Sequence, residues 1–490
     1  MEKPVWFSES KGNPREEFVA FSAGRDVVSL PEADDALIPY DLWTNRAHAI
    51  GLQAIGVYTK SECQKIIKAL NRIESEWEKG QWRLDPKLED VHINIESRIS
   101  KICGEKIGGR LHSGRSRNDQ VAADMKLYAR EAALSFVRES LALLQSLMDH
   151  ALDNVDSVMP GYTHHRKATM ASWGHWCASY AQGVLRDIQR FVDLYKRINT
   201  CPLGAAASYG TTWPLDRKLT AELLAFDAVQ ENTLDAVASR GEAEAEIIQA
   251  AAFLLKRLSG FSQDIILFST DEFGFLTLPS DFTTGSSIMP QKRNPDFAEA
   301  IKGKSHVVMG MAQSLMSIDG SNLSGYNKDV QWSKYLFMDA VREAGGAADI
   351  LSNVVKSIKV NHDVMQQAAQ TGFLNAVDIA DFLARTRDLP FRKTYTVLSE
   401  AVGKSSEKYF TLDELNGVLK NNKVKLLSEA EFKKLSDPIQ CLLSRDHLGS
   451  PNPKQLKRHI GSLKRKTETV KRWLNDRTGQ IKAARKRCMK

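Results

Sequence analysis

Apolar residues recur along the middle of the chain at spacings of three and four. Leu134, Val137, Leu141, Leu144 and Met148 form one such run, and Ile247, Ala251, Leu254, Leu258, Phe261, Ile265 and Phe268 carry the alternation on. Those spacings put side chains on one stripe of a helix. A stripe averaging about 3.5 residues suits long helices crossing at shallow angles, as in bundles. Alternation with period two, the mark of a half-buried strand, is scarce. Prolines are few, and Pro160, Pro202, Pro214, Pro290, Pro295 and Pro390 are expected in connectors. The pattern predicts an all-α protein with a central long-helix bundle.

Three domains are expected in 490 residues, at roughly 150 residues each. Residues 1–115 mix loops with short helices. Residues 116–370 hold the long helices. Residues 371–490 open on an amphipathic run, Ala376–Leu383, then become polar, with short helices and loops over 404–435. No internal repeat is visible.

Composition is ordinary for a globular chain, 42% hydrophobic and 26% charged, which excludes wholesale disorder, collagen and a coiled-coil rod. No run approaches the ~18 apolar residues that span a bilayer. The start, MEKPVWFSESKGN, shows no apolar signal core. Six separated cysteines without a CxxC pair read as reduced thiols. A cytoplasmic protein with no membrane partner is therefore expected. Charge is uneven. Residues 451–490 carry fourteen Lys/Arg and two acids, a local +12 that leaves the preceding 450 residues at −5 within a total of +7. Such a tail can bind nucleic acid or an anionic surface, but a solvated basic helix end is the first reading, and no nucleic-acid partner is expected.

Four segments carry chemistry. HSGRSRNDQ (112–120) offers Ser116, Arg117 and Asn118 just before a long helix. Hydroxyl, amide and guanidinium groups before a helix start suit a carboxylate or phosphate, and equally suit a capped polar helix start. GYTHHRK (161–167) places Thr163 and His164 beside Arg166, and a histidine near neutral pKa moves protons. GSSIMPQKRNPD (285–296) brackets Lys292 and Asn294 between prolines after Ser286, with Glu299 one turn later. A hinged serine loop beside cationic and amide donors fits anion-stabilising catalysis. YNKDVQWSK (326–334) supplies Tyr326, Lys328, Gln331 and Lys334. No Walker loop, GxGxxG, HExxH or GxSxG is present, so nucleotide, zinc-hydrolase and α/β-hydrolase chemistry has no support. The shared content is carboxylate-binding groups with serine and histidine, which points to a dicarboxylate and cofactor-free proton transfer.

GSSIMPQKRNP resembles the GSSxMPxKxNP signature of the fumarase/aspartase superfamily. HSGRSRNDQ, GYTHH, ENTLDAV (231–237) and YNKDVQ resemble the argininosuccinate lyase family more closely, over about residues 35–400, with a weaker echo in DHLGSPNP (446–453). The resemblance implies an all-α, three-domain chain. It implies a homotetramer around a twenty-helix core, each active site shared between subunits, with no metal or organic cofactor. It implies cleavage of the C–N bond of an N-substituted aspartate by anti elimination, releasing fumarate, with argininosuccinate the first substrate to consider. Carried over, Ser286 is the catalytic base at Cβ. Lys292 and Asn294 hold the doubly charged aci-carboxylate. His164, paired with Glu299, assists protonation of the departing nitrogen. Ser116, Arg117, Asn118 and Thr163 bind carboxylates. Tyr326, Gln331 and Lys334 lie near the amine half, and Arg240 stands where the family also has Arg.

Departures accompany the match. The family's N-terminal WGGRF is absent, the nearest text being Val5-Trp-Phe-Ser8, and an early F-x-x-S becomes Phe21-Ser-Ala-Gly24. THLQ becomes Thr163-His-His-Arg166, and SDRD becomes Ala238-Ser-Arg-Gly241. Two acids near Arg240 are lost and Arg166 is gained. This favours a leaving amine that is less cationic or carries an extra carboxylate, unless these positions face away from the substrate. The alternatives are a lyase for a different N-(1,2-dicarboxyethyl) amine and a non-catalytic structural relative. Retention of Ser286, Lys292, Asn294, His164 and Glu299 stands against the second.

Overall fold

The computed structural model describes Arg15, Phe21 and residues 32–318 and 322–490. The departures at residues 5–8 and 22–24 lie outside the described residues. Helix dominates. The longer helices are α1 (Ile38–Ala54), α2 (Lys60–Glu78), α3 (Val91–Cys103), α4 (Arg117–Asp153), α5 (Trp173–Ile198), α6 (Glu242–Phe268), α7 (Asp296–Ile318), α8 (Gln331–Ala344), α9 (Ala347–Ser357), α10 (Ala376–Thr386), α11 (Phe391–Lys404), α12 (Leu412–Asn421) and α13 (Pro453–Cys488). Three two-stranded sheets complete the described elements. The longest of them is an antiparallel hairpin of β1 (Val158–Thr163) and β2 (Arg166–Ser172).

The sequence signals act where they stand. Ser116 caps α4 in a capping box with Asp119, and Thr59 caps α2 with Glu62 in the same way. With 37 residues, α4 runs about 55 Å. The stripes read from the sequence on α4 and α6 are buried throughout. They pack α4 on α5 and α6 on α7, with α8 and α9 closing the bundle. Gly345–Gly346 separates α8 from α9, and Gly346 turns the chain at φ 78°, a backbone region that glycine enters without a Cβ clash.

Pro160 departs from expectation: it lies within β1, opposite Met170. Both strands of a two-stranded sheet are edges, so a residue without an N–H is accommodated there.

The last third divides between two cores. Ile379 to Leu427, from α10–α12 and the segment that follows, form a small core of their own. The basic tail does not hang in solvent. As α13 (36 residues), it buries Leu456, Ile460, Leu463, Val470, Leu474 and Ile481 in the main core. Arg477, Arg485 and Arg487 meet Asp227, Glu131 and Glu222 at 2.6–2.7 Å. Part of the tail's charge thus answers the acidic body. All six cysteines are free, as the sequence suggests.

Because Ile460 is wholly buried between α13 and the bundle, Ile460→Ala is expected to cost about 2–4 kcal/mol. Denaturant unfolding measures it; a change under about 0.5 kcal/mol would show that α13 does not belong to the core.

Candidate active site

Three helix starts meet at one cavity of about 660 Å³. Asp90 caps α3 by accepting from the Ile93 N–H (2.9 Å), while its other oxygen takes Arg117 Nη1 at 2.7 Å. Asp34 accepts from the Val91 N–H at 3.0 Å and pairs with Lys334 near the start of α8. Two carboxylates therefore tie the N-termini of α3, α4 and α8 together. Helix N-termini carry positive partial charge and unsatisfied N–H groups, which favours an anionic guest.

Six of the substrate-binding residues expected from sequence line this cavity: Arg117, Asn118, Arg240, Tyr326, Gln331 and Lys334. Arg240 is buried, its guanidinium 5.4 Å over the Tyr326 ring, and its Nη1 has no hydrogen-bond partner among the described residues. Burial pulls its pKa down, against the opposing pull of Glu244. Ser116 is nearby in sequence but works as the α4 cap, its Oγ accepting from the Asn118 N–H at 3.3 Å.

The cavity also holds groups the sequence reading missed. Glu32, Asp34, Asp85, Glu89 and Asp90 bring carboxylates to it and His92 brings a base, beside Lys328, which the sequence already singles out. Ser239, in the altered ASRG stretch, turns back on its own helix and donates to Asp235 O at 2.7 Å.

Behind His92 is a buried network. His92 Nδ1 lies 2.7 Å from Asp41 Oδ1 and 3.7 Å from Asp124 Oδ2, and Thr44 donates to Asp124 at 3.0 Å. Asp41, His92 and Asp124 are the one set among the described residues with metal-ligand geometry. Arg115 also acts on both carboxylates, so a cation already occupies that electrostatic role. Burial drives the Asp124 carboxyl well up, reinforced by the neighbouring Asp41 charge. The Asp41 carboxyl ends below its ordinary value, because His92 and Arg115 outweigh its own burial. Two carboxylates this close share a proton, and Asp124 keeps it.

The remaining expected residues lie outside the cavity within one chain. Thr163, His164 and Arg166 are exposed at the β1–β2 tip, where His164 and His165 both have positive φ, 52° and 58°. This is the backbone of a tight hairpin turn that asparagine and glycine usually fill, so two histidines there hold a costly conformation. Ser286 is on a loop closed at its base by the Thr284–Asn294 bridge. Its Oγ accepts from the N–H groups of Met289 (3.1 Å) and Ile288 (3.3 Å), donors that would stabilise negative charge on that oxygen. The Asn294 amide donates to Thr284 Oγ1 at 3.3 Å, so it also holds the loop. Lys292 is exposed, without an ion-pair partner among the described residues, and Glu299 is exposed on the first turn of α7. No hydrogen bond or ion pair joins His164 to Glu299 within the chain.

Residues 36–310 match the family described as Lyase, and residues 373–442 match the family described as Argininosuccinate lyase C-terminal. Argininosuccinate lyase of Ruthia magnifica subsp. Calyptogena magnifica is 38% identical over 89% of this chain and 89% of its own length. That of Hahella chejuensis is 39% identical over 89% and 93%. That of Thioalkalivibrio sulfidiphilus is 42% identical over 78% and 81%. Among solved structures, EDDS lyase in complex with formate has a TM-score of 0.87 at 27% identity, covering 100% of this chain and 97% of that one. Class II fumarase from Schistosoma mansoni shares the fold, with a TM-score of 0.70 at 16% identity over 88% and 95%. Helical bundle and signature loop together define a carbon–nitrogen lyase of the fumarase/aspartase superfamily. Within it, the chain belongs to the argininosuccinate lyase family.

The proton on Asp124 has a sign that can be checked. Between the ordinary carboxyl pKa and its raised value, the folded state binds more protons than the unfolded one, so this group's contribution to stability falls as pH rises. Asp124→Asn should remove that fall, giving a flatter melting-temperature profile as pH rises above the ordinary carboxyl range. Asp41→Asn should instead destabilise by about 3 kcal/mol, since it leaves His92 and Arg115 without their charge partner. A wild-type slope retained in Asp124→Asn would remove the shared proton from this pair.

Proposed function

We propose that this protein cleaves argininosuccinate to arginine and fumarate. The observation that carries the reading is the convergence of Arg117, Asn118, Arg240, Tyr326, Gln331 and Lys334, from three distant segments, on one cavity at three helix N-termini. In the reaction, Ser286 removes the Cβ proton, the Cα–N bond breaks, and the electron pair forms the double bond of fumarate. Lys292 and Asn294 hold the aci-carboxylate dianion before the bond breaks, acting as preset charge partners. His164, with Glu299, helps to return a proton to the nitrogen that leaves. Ser116, Thr163 and Arg166 complete the carboxylate contacts.

A homotetramer belongs to the same proposal. The cavity lacks the hairpin tip and the serine loop of its own chain, and sharing between subunits supplies them. The uncovered face of α7 supports this: Val307, Met309 and Met316 are exposed along it, and a Cβ added at Gly303 or Gly310 meets nothing within 4 Å. Ile288, beside Ser286, is 82% exposed in the single chain, as an apolar residue awaiting a neighbour would be. The division near residues 115 and 370 is part of this reading, its second boundary supported by the separate core from Ile379. A cytoplasmic location is proposed on the strength of the six free cysteines. No described helix is long and apolar enough to cross a membrane.

A second reading, a different N-(1,2-dicarboxyethyl) amine or amino acid, is favoured by the unpartnered Nη1 of Arg240. A free guanidinium N–H in the cavity asks for one more carboxylate or carbonyl on the ligand.

Fumarate release from argininosuccinate, against a panel of N-succinyl amines, decides between them. Turnover of another member but not of argininosuccinate would select the second reading. Ser286→Ala should lower kcat by about a thousandfold with KM little changed. Mixing refolded His164→Asn and Ser286→Ala chains should restore activity, because some mixed assemblies then hold one intact site. Two variants that stay inactive when mixed, with mixed tetramers demonstrated by mass, would refute the shared site.

A further inference from the structure

A second cavity, of about 700 Å³, runs between α5 and α13. None of its lining residues is among those assigned a role above. The two helices lie side by side in parallel. His175 faces His459 near one end, and Tyr195 meets Trp473 at a ring separation of 5.2 Å further along. Each helix presents a regular stripe to the groove. His175 and Arg186 belong to the stripe on α5, and His459 and Lys466 to the one on α13, with serine, threonine and glutamine side chains between them. Leu185 and Leu463 form part of an apolar floor, and Leu448, 80% exposed, stands at the mouth.

The charge of this groove is one-sided. No carboxylate lines it. Elsewhere on α13, Arg477, Arg485 and Arg487 each meet an acid of the body. Arg186 and Lys466 have no such partner among the described residues. The two histidines add to the bias. His175 is fixed by a contact of 3.2 Å between Nε2 and Gly449 O. His459 is held below its ordinary value by partial burial first, then by His175 and Lys466. The loop Leu448–Ser450 brings no titratable group. Seven residues separate His459 from Lys466, about 10 Å along α13, and eleven separate His175 from Arg186, about 16 Å along α5.

We infer that this groove is a binding site for a small organic anion with two charged ends, roughly 10–16 Å apart, joined by an apolar frame. One end is held by His175 and His459, the other by Arg186 and Lys466, and the frame lies on Leu185 and Leu463. An anion beside His459 offsets the neighbouring positive charge that disfavours its protonation. Binding therefore takes up protons and weakens as pH rises through the histidine range. Carboxylate and phosphate ends share this chemistry, and the choice of probe separates them.

The test is calorimetric titration of the full-length protein with decanedioate and with hexanediol bisphosphate, using octanoate and inorganic phosphate as single-headed controls. At least one double-headed probe should bind at about pH 6 and bind about tenfold more weakly at about pH 8. Arg186→Gln and Lys466→Gln should each weaken it about tenfold, with fumarate release and melting temperature unchanged. His459→Gln should remove most of the pH dependence. These side chains are at least partly exposed, so the variants should fold. No binding of either double-headed probe at millimolar concentration would overturn the inference. So would equal binding of the single-headed controls, or affinity unchanged in both cation variants. Because fumarate release is read separately, failure here leaves the proposed lyase reaction standing, and the reverse holds as well.

Discussion

Burial of unbroken apolar stripes on α4 and α6 is the constraint from which the rest follows. A side chain every three or four residues, packed on both partners, fills the apolar seam and leaves polar side chains to the other faces and the ends of the helices. Chemistry is displaced to helix ends and to the segments between them. Arg117 and Asn118 open α4, Gln331 and Lys334 open α8, and Glu299 falls on the first turn of α7. Rigid rods of up to about 55 Å then set how far apart those ends stand. The proposed sharing of a site between chains follows from this spacing, since Ser286 and His164 stand outside the cavity of their own chain.

The cavity owes its shape to polar groups inside the molecule. Helix α1 buries Asp41, Thr44, Asn45, Arg46 and His48, an unusual load for a core helix. Desolvated polar groups are tolerated when each finds a partner. Asp41 finds His92, Thr44 finds Asp124, and Asn45 accepts from Arg115 at 2.6 Å. The network fixes His92 at the wall of the cavity, and the start of α3 with it. Asp34 and Asp90 fix the same helix start from outside. The cavity is thus held by two sets of charge pairs, one dry and one near solvent.

Much of this was legible in the residues themselves. The stripes on α4 and α6, the caps at Ser116 and the helix over 376–386 follow from spacing and residue type alone. The length of α13 did not, because fourteen cations among forty residues hide an apolar stripe with gaps of up to seven. Pro160 misled because a strand of six residues in a two-stranded sheet leaves almost no periodic trace. For the site, motifs led to residues 117, 118 and 240 and to those of 326–334 that line the cavity. Asp34, Asp90 and His92 escaped because their role depends on tertiary proximity to segments far along the chain. The separation of Ser286 and His164 from that cavity is likewise invisible in one dimension.

The paired histidines at the hairpin tip carry a consequence for how this surface can vary. Positions 164 and 165 both sit in left-handed backbone, where most side chains meet their own carbonyl oxygens. Mutational drift there is filtered twice, once by conformation and once by chemistry. Asparagine and glycine pass the first sieve and fail the second, while bulky β-branched residues fail the first outright. The second histidine, at 165, lies beside the one given a role in proton transfer and bears the same backbone cost. A lineage could therefore try new groups next to its proton-transfer residue only from a very short alphabet, which makes the tip slow to diversify even where the neighbouring pocket changes.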